Sequence, residues 1–399
     1  MSEFDKLFAE RTARGSSTVH GCVTAAVDKN GKELFYKALG YDGTGPDAPA
    51  VDPNATFWIA SCTKLIGTIA ALQCVERGQI TLDEPVGRVL HELANPEVIN
   101  KAPDGAYDPA FTTTPATKKI TLRHLLTHSA GLGYDAFNPT LLAWRQSRGE
   151  HPKSMNGTVI EGHSAPLLNE PGEGWVYSGG IDWAGVLVAR LNKTTLEEYL
   201  QENVFKPLGM SSTTFRLERR SDIKERLLTT AQRTEDGLLK DSTKVWPDYA
   251  AEDCAGAGLY SCVSDYLQVL KDLVKDEPTL LKKETVEGEM FRPQFAEGGR
   301  SMEGLLGSTD MVAAMTGTSS FDGVNWGLGG IYAEGDVGTM PKGTLTWGGL
   351  PNLVWFANRE RGVAGFFATQ VIPPGDKTIA SFIGEISQVA FRLASAQLI

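Results

Sequence analysis

Apolar positions follow two rhythms along this chain, and the rhythm changes near residue 61 and again near residue 323. Toward both ends, apolar residues come in short runs rich in β-branched and aromatic side chains and bounded by turn residues, which predicts strands. Near the start these runs are 22–27 and 33–36, and the Asn30-Gly31 pair between them predicts a two-residue type I′ hairpin turn. Beyond Gly323 the runs are 327–332, 343–347, 353–357 and 363–368. In the middle of the chain apolar residues recur every third or fourth position, which predicts helices over 61–77 (closed by Gly78), 121–128, 181–191, 195–203 and 264–275. Two more amphipathic stretches, 3–15 and 378–396, predict terminal helices.

Strands at both ends around a helical middle imply an α+β fold: one antiparallel sheet built from both chain ends, flanked by the terminal helices, with a mostly helical subdomain alongside. The expected division within one domain spanning 1–399 is 1–60 with 323–399 as the α/β subdomain and 61–322 as the helical insert. A cleft is expected between the two. The stretch 286–322, rich in Gly, Met and Ser, reads as a long surface excursion or lid.

Composition narrows the partners. The chain has 399 residues, 41% of them hydrophobic, enough for a large core. Its formal net charge is −11 and its Lys and Arg form no stripe, which argues against nucleic acid, anionic membrane and polyanionic ligands. The opening Met1-Ser2-Glu3-Phe4-Asp5-Lys6 is charged, and no apolar run reaches membrane-spanning length, so a cytoplasmic location is expected. Cys22, Cys62, Cys74, Cys254 and Cys262 are widely spaced without a C-x-x-C pair and read as free thiols.

Candidate chemistry centres on Ser61-Cys62-Thr63-Lys64 at the head of the helix expected over 61–77. Three residues on a helix are nearly one turn, so Lys64 faces Ser61. A serine hydroxyl needs such a base to act as a nucleophile, and the helix N-terminus supplies N–H groups for a developing oxyanion. Read alone, the pattern also fits a capping serine and a solvent-facing lysine. Cys62 reads as a small filler residue, with no base placed for it.

Tyr177 ends the turn-rich loop from Glu170 and precedes a helical run, a position from which its phenol can reach a cleft and relay the Ser61 proton. It also fits simple core packing. Trp347-Gly348-Gly349 closes a predicted strand. The glycines would let substrate lie on the strand edge, and the Leu350 N–H could join that of Ser61 in an oxyanion hole. Gly-Gly also suits a plain hairpin turn.

Together and in this order, the three elements resemble the serine β-lactamase and penicillin-binding protein superfamily, in its class C and esterase branch. The segments 120–132, 207–210 and 327–330 match as well, and the resemblance runs from about residue 20 to 395. Within the branch, segments 71–78, 182–185 and 198–203 are most similar to the fungal side-chain acyltransferases, or transesterases, of lovastatin type. The resemblance implies a β-lactamase-like fold, with Ser61 as nucleophile, Lys64 as base, Tyr177 as partner acid/base, and Trp347, Gly348 and Gly349 as the substrate-lining strand. It puts Tyr134 on a cleft-lining loop and implies no cofactor; surface packing is the other reading of Tyr134.

Two departures point away from lactams. Gly179 stands where many relatives carry the asparagine of Tyr-x-Asn, and Trp347 stands where they carry a carboxylate-binding lysine. With an indole lining the cleft, an apolar acyl group is the expected cargo. His124 and His128 have metal-ligand spacing, but no glutamate completes an H-E-x-x-H motif, and no metal site is expected.

The expected activity is serine acyl transfer in specialised metabolism. An apolar ester or thioester, with a CoA ester or an acyl carrier protein as candidate donor, acylates Ser61, and an alcohol (acyltransferase) or water (esterase, thiohydrolase) releases the acyl group. A β-lactamase or D-amino peptidase is the alternative within the superfamily. A non-catalytic ligand-binding protein is the alternative outside catalysis, and failure to react with any activated ester would favour it.

Overall fold

The computed structural model describes residues 3–101, 111–318 and 320–396; Met1 and Ser2 of the charged opening segment lie outside them. Its centre is a seven-stranded antiparallel sheet. The strands are β1 (Gly21–Asp28), β2 (Glu33–Gly40), β3 (Val324–Trp326), β4 (Ile331–Ala333), β5 (Thr344–Gly349), β6 (Leu353–Asn358) and β7 (Val363–Ala368). Their order is β2-β1-β7-β6-β5-β4-β3, so the N-terminal hairpin pairs with the C-terminal strand β7 through Val23 opposite Ala368 to Asp28 opposite Val363.

Side chains alternate across these strands, and the two faces bury separate cores. From β6 and β7, Val354, Phe356 and Phe367 pack with Phe8, Phe382 and Ile386 of the terminal helices α1 (Glu3–Arg11) and α7 (Lys377–Ala396). Trp355, Ala357 and Phe366 point the other way, into the core shared with the middle of the chain. Helix α5 (Val263–Val274) lies on that inner face, where Tyr266 stacks on Phe366 at 4.4 Å. The middle of the chain also holds α2 (Thr63–Glu76), α3 (Leu122–Leu126) and α4 (Gly180–Asn192), with α2 packed against α4. No helix among the described residues is long and apolar enough to cross a membrane.

Three local expectations are corrected. Asn30-Gly31 does not form a type I′ turn, because only Gly31 has positive φ, +76°. The Gly31 N–H instead bonds the Asp28 carbonyl at 2.9 Å, and Asp28 N–H bonds the Lys32 carbonyl at 2.9 Å, a wider turn with glycine in the left-handed position. The run 327–332 is strand only over β4, since Gly329 at φ +115° breaks it, while β3 lies just before it. Finally, the described residues of 286–322, expected as a long surface excursion or lid, are partly core. They contain the short helices Arg300–Leu306 and α6 (Thr309–Thr316), and Val286, Met290, Leu305, Val312 and Met315 are buried.

Candidate active site

Ser61 sits in a tight turn, Ala60–Cys62, that runs directly into α2. The turn is tied down from behind. The short strand Thr56–Trp58 pairs with Tyr260–Cys262, the Ile59 N–H bonds the Leu259 carbonyl at 3.0 Å, and Gln370 Nε2 bonds the Trp58 carbonyl at 3.0 Å. Ala60 is held at φ +44°, a conformation that costs a non-glycine residue about 1–3 kcal/mol and persists only where its surroundings enforce it.

Lys64 is 1% exposed. Its Nζ lies 3.3 Å from Ser61 Oγ, 3.0 Å from Tyr134 OH and 2.7 Å from the Gly256 carbonyl oxygen. A buried amine needs this satisfaction. The three contacts also aim it: a free amine can donate to Gly256 and Tyr134 and keep its lone pair for the Ser61 proton.

Tyr134 is thus in direct contact with Lys64, which the sequence reading of it as a cleft-lining residue did not contain. Burial, reinforced by the charge of Asp182, pushes its phenol well above the ordinary value, so it stays protonated and can give a hydrogen bond into the cavity it lines. Tyr177 also lines the cavity, and Lys64 Nζ lies 4.7 Å from its ring centre. Its hydroxyl accepts a hydrogen bond at 3.1 Å from the indole of Trp347.

That bond corrects the expectation for Trp347. The indole is fully buried between Tyr177 and Trp326, with ring centres at 5.3 and 5.0 Å, and it does not line the cavity. Which face of a strand a residue occupies depends on register, and in β5 position 347 turns inward beneath Tyr177. The neighbouring glycines admit the protein's own backbone. A Cβ at Gly348 would come within 1.9 Å of the Met315 carbonyl oxygen, and one at Gly349 within 2.5 Å of that of Ile59. Strand β5 is therefore wedged between α6 and the Ser61 turn, and Leu350 just beyond it lines the same cavity as Ser61. Trp347→Phe should remove one hydrogen bond from the Tyr177 hydroxyl, worth about 1 kcal/mol, or roughly fivefold in kcat/KM. Kinetics on esters of increasing chain length should show that loss uniformly, whereas a loss growing with chain length would return Trp347 to the acyl pocket.

His124 and His128 do not share a helix face, since α3 ends at Leu126 and His128 has φ +57°. His124 caps α3 with Thr121, and His128 Nδ1 accepts the Ser178 N–H at 3.3 Å. Burial first, then the charge of Lys64, push the His128 imidazole well below its ordinary value. All five cysteines are free and buried, and burial pushes the Cys62 thiol well above its ordinary value, which leaves it unreactive beside Ser61.

The cavity over Ser61 has a volume of about 180 Å³. The indoles of Trp58 and Trp246, stacked at 5.6 Å, form one wall, and Met155, Met311, Met315 and Leu350 form others. Polar groups around it that the sequence did not single out are the side chains of Ser154, His163 and Asp182, which line the cavity, and the carbonyl of Gly256, which holds Lys64. For His163 the hint in the sequence was Gly179, whose missing side chain leaves room for its ring.

Residues 4–384 match the model of the Beta-lactamase family, and the chain belongs to that family. It is 36% identical to the acyltransferase calJ of Penicillium decumbens, with 96% of each chain covered. It is 32% identical to the lovastatin esterase of Penicillium rubens, with 92% of each chain covered. Among solved structures, the unliganded simvastatin synthase LovD of Aspergillus terreus superposes with a TM-score of 0.86 at 31% identity, covering 97% of this chain and 96% of that one. The β-lactamase-like fold is that of these relatives, and the chain is an enzyme of this family.

Proposed function

We propose that this member of the β-lactamase family transfers an acyl group from an apolar ester or thioester, through an acyl-Ser61 intermediate, to an alcohol or to water in specialised metabolism. The observation that carries the reading is Lys64 Nζ at 3.3 Å from Ser61 Oγ, beside an apolar cavity. The relatives named acyltransferase and esterase support the reaction class.

In this reading the free amine of Lys64 takes the Ser61 proton as Oγ attacks the carbonyl carbon. The N–H groups of Ser61 and Leu350 receive the oxyanion. As the tetrahedral intermediate collapses, the leaving oxygen or sulfur takes a proton passed from Lys64 through a tyrosine hydroxyl. Tyr134, hydrogen-bonded to Lys64, and Tyr177, whose ring centre lies 4.7 Å from Lys64 Nζ, are the two candidate carriers. An acceptor alcohol or water then runs the sequence in reverse, its proton passing to Lys64 as its oxygen attacks the acyl carbon. The cleft where this happens is formed between the subdomain 1–60 with 323–399 and the insert 61–322. Free esters, CoA thioesters and carrier-bound thioesters are the donor classes that fit, and no cofactor is required.

The walls also set the acyl preference. Each Å² of apolar surface buried contributes about 25 cal/mol, so a short branched acyl chain gains from the Trp and Met walls. No lysine or arginine is among the described residues lining the cavity, while the carboxylate of Asp182 is, so a carboxylate-bearing substrate meets no counter-charge. Measured side by side, kcat/KM for a neutral acyl ester should exceed that for a carboxylate-bearing lactam by at least about a hundredfold, which is roughly 2.7 kcal/mol. A preference for the lactam would overturn this assignment of substrate.

A further inference from the structure

Two buried polar side chains beside Ser61 have no part in the proton transfers just described. His163 is 5% exposed and Asp182 2%, and both line the cavity with Ser61 and Tyr134. The His163 ring occupies the room that Gly179 leaves: a Cβ at position 179 would lie 2.4 Å from its Nδ1. Its Nε2 lies 3.6 Å from Asp182 Oδ2, within ion-pair reach, and its Nδ1 has no hydrogen-bond partner. Nε2 is thus the ring nitrogen that faces the carboxylate. Burial pushes the imidazole below its ordinary value, Asp182 opposes that and the charge of Lys64 adds to it, so His163 stays neutral beside the Asp182 side chain.

Both side chains lead to Lys64. Asp182 Oδ1 accepts the Gly256 N–H at 2.8 Å, and the carbonyl of the same residue is the 2.7 Å acceptor of Lys64 Nζ. A Cβ on Gly256 would lie 2.0 Å from Asp182 Oδ2, so this contact requires glycine. On the other side the imidazole stands edge-on against the Tyr134 ring at 5.5 Å, and the Tyr134 hydroxyl accepts from Lys64 at 3.0 Å. Other titratable groups act on the cluster: Asp135 and Glu252 on His163, Tyr177 and Cys254 on Tyr134, and Lys64 itself on His128. Asp135 and Glu252 are engaged elsewhere, by Arg145 and by the Val159 N–H. Asp182 is the carboxylate hydrogen-bonded to the residue that holds Lys64.

We propose that His163 and Asp182 are a positioning pair for Lys64, holding its amine in line with Ser61 through Gly256 and Tyr134. Asp182 supplies the counter-charge for the ammonium that forms when Ser61 gives up its proton. The proposal rests on the acyl-Ser61 reading and leaves its balance unchanged: the proton moves from Oγ to Nζ as the Oγ–carbon bond forms, and Asp182 remains a carboxylate throughout.

Single-turnover acylation by a p-nitrophenyl ester, followed on the wild type, Asp182→Asn and His163→Phe, yields the acylation rate constant and the ester dissociation constant separately. Misplacing a reacting group costs up to about a hundredfold, so Asp182→Asn should acylate at least about tenfold more slowly and His163→Phe about fivefold more slowly. The acylation rate constant should fall well beyond any change in the dissociation constant of this neutral ester, and the adduct should still form on Ser61, because the pair acts on the rate through Lys64. Wild-type acylation rates in the variants, or losses carried entirely by weaker ester binding, overturn the pair's role. If Asp182→Asn does not fold, His163→Phe, which keeps the ring, decides alone. An absent adduct on the wild type is a different result, and it strikes the acyl-enzyme reading itself.

Discussion

Ser61→Ala should lose at least about ten-thousandfold in turnover, because it removes the atom to which the acyl group is bonded and no neighbour replaces it. The adjacent thiol of Cys62 is buried and held protonated, and its own carbonyl is engaged by the Tyr266 hydroxyl at 2.8 Å. The fold should not change. The described side-chain partner of Ser61 Oγ is Lys64 alone, and the turn is fixed by backbone bonds of Ile59 and Cys62 that survive the substitution. A thermal midpoint within about 1 °C of the wild type, the equivalent of about 0.8 kcal/mol for a chain of this length, is expected from calorimetry or fluorescence. If the variant kept more than about a hundredth of the activity, Ser61 would not be the nucleophile.

Lys64→Met should cost at least about a thousandfold in acylation, since a methionine fills much of the same volume and cannot take a proton. It should also destabilise the protein, by about 1–3 kcal/mol, because the Gly256 carbonyl and the Tyr134 hydroxyl lose their buried donor. The two losses separate in one experiment, with urea unfolding reading the second and single-turnover kinetics under native conditions reading the first. Combined with Ser61→Ala, the lysine substitution should cost almost nothing further in rate, since the base has no work to do without its nucleophile. Multiplying losses in the double variant would mean that the two groups act independently, contrary to the contact between them.

The Ser61–Lys64 contact was legible in the sequence because it is local: three positions on a helix place two side chains together whatever the rest of the chain does. The sheet was legible for a related reason, since strand runs at both ends of a chain with a helical middle have few other ways to bury their faces. The partners of Lys64 are different in kind. Tyr134 and Gly256 reach it from loops far along the chain, and their paths depend on close approaches that no periodicity encodes. One such approach is at Gly131, at φ +84°, where a Cβ would meet the Asn169 carbonyl oxygen at 2.2 Å. Trp347 was found as a residue and misplaced as a surface, because its face was settled by the pairing of β5 with β6 and by the wedge of Gly348 and Gly349. The 286–322 stretch hid its helices for want of length, since Arg300–Leu306 and α6 are too short to repeat an apolar face clearly.

The central claim is an acyl group carried on Ser61, and intact-mass measurement tests it most directly. Wild type and Ser61→Ala are exposed to a panel of acyl thioesters and p-nitrophenyl esters, with and without candidate alcohols, and quenched in acid. The wild type should gain one acyl mass, mapped by peptide analysis to the Ser61 segment, and an accepted alcohol should clear it as the corresponding ester accumulates; Ser61→Ala should gain nothing. A wild type that stays unmodified across the panel, or an adduct that forms equally on Ser61→Ala, would contradict the account.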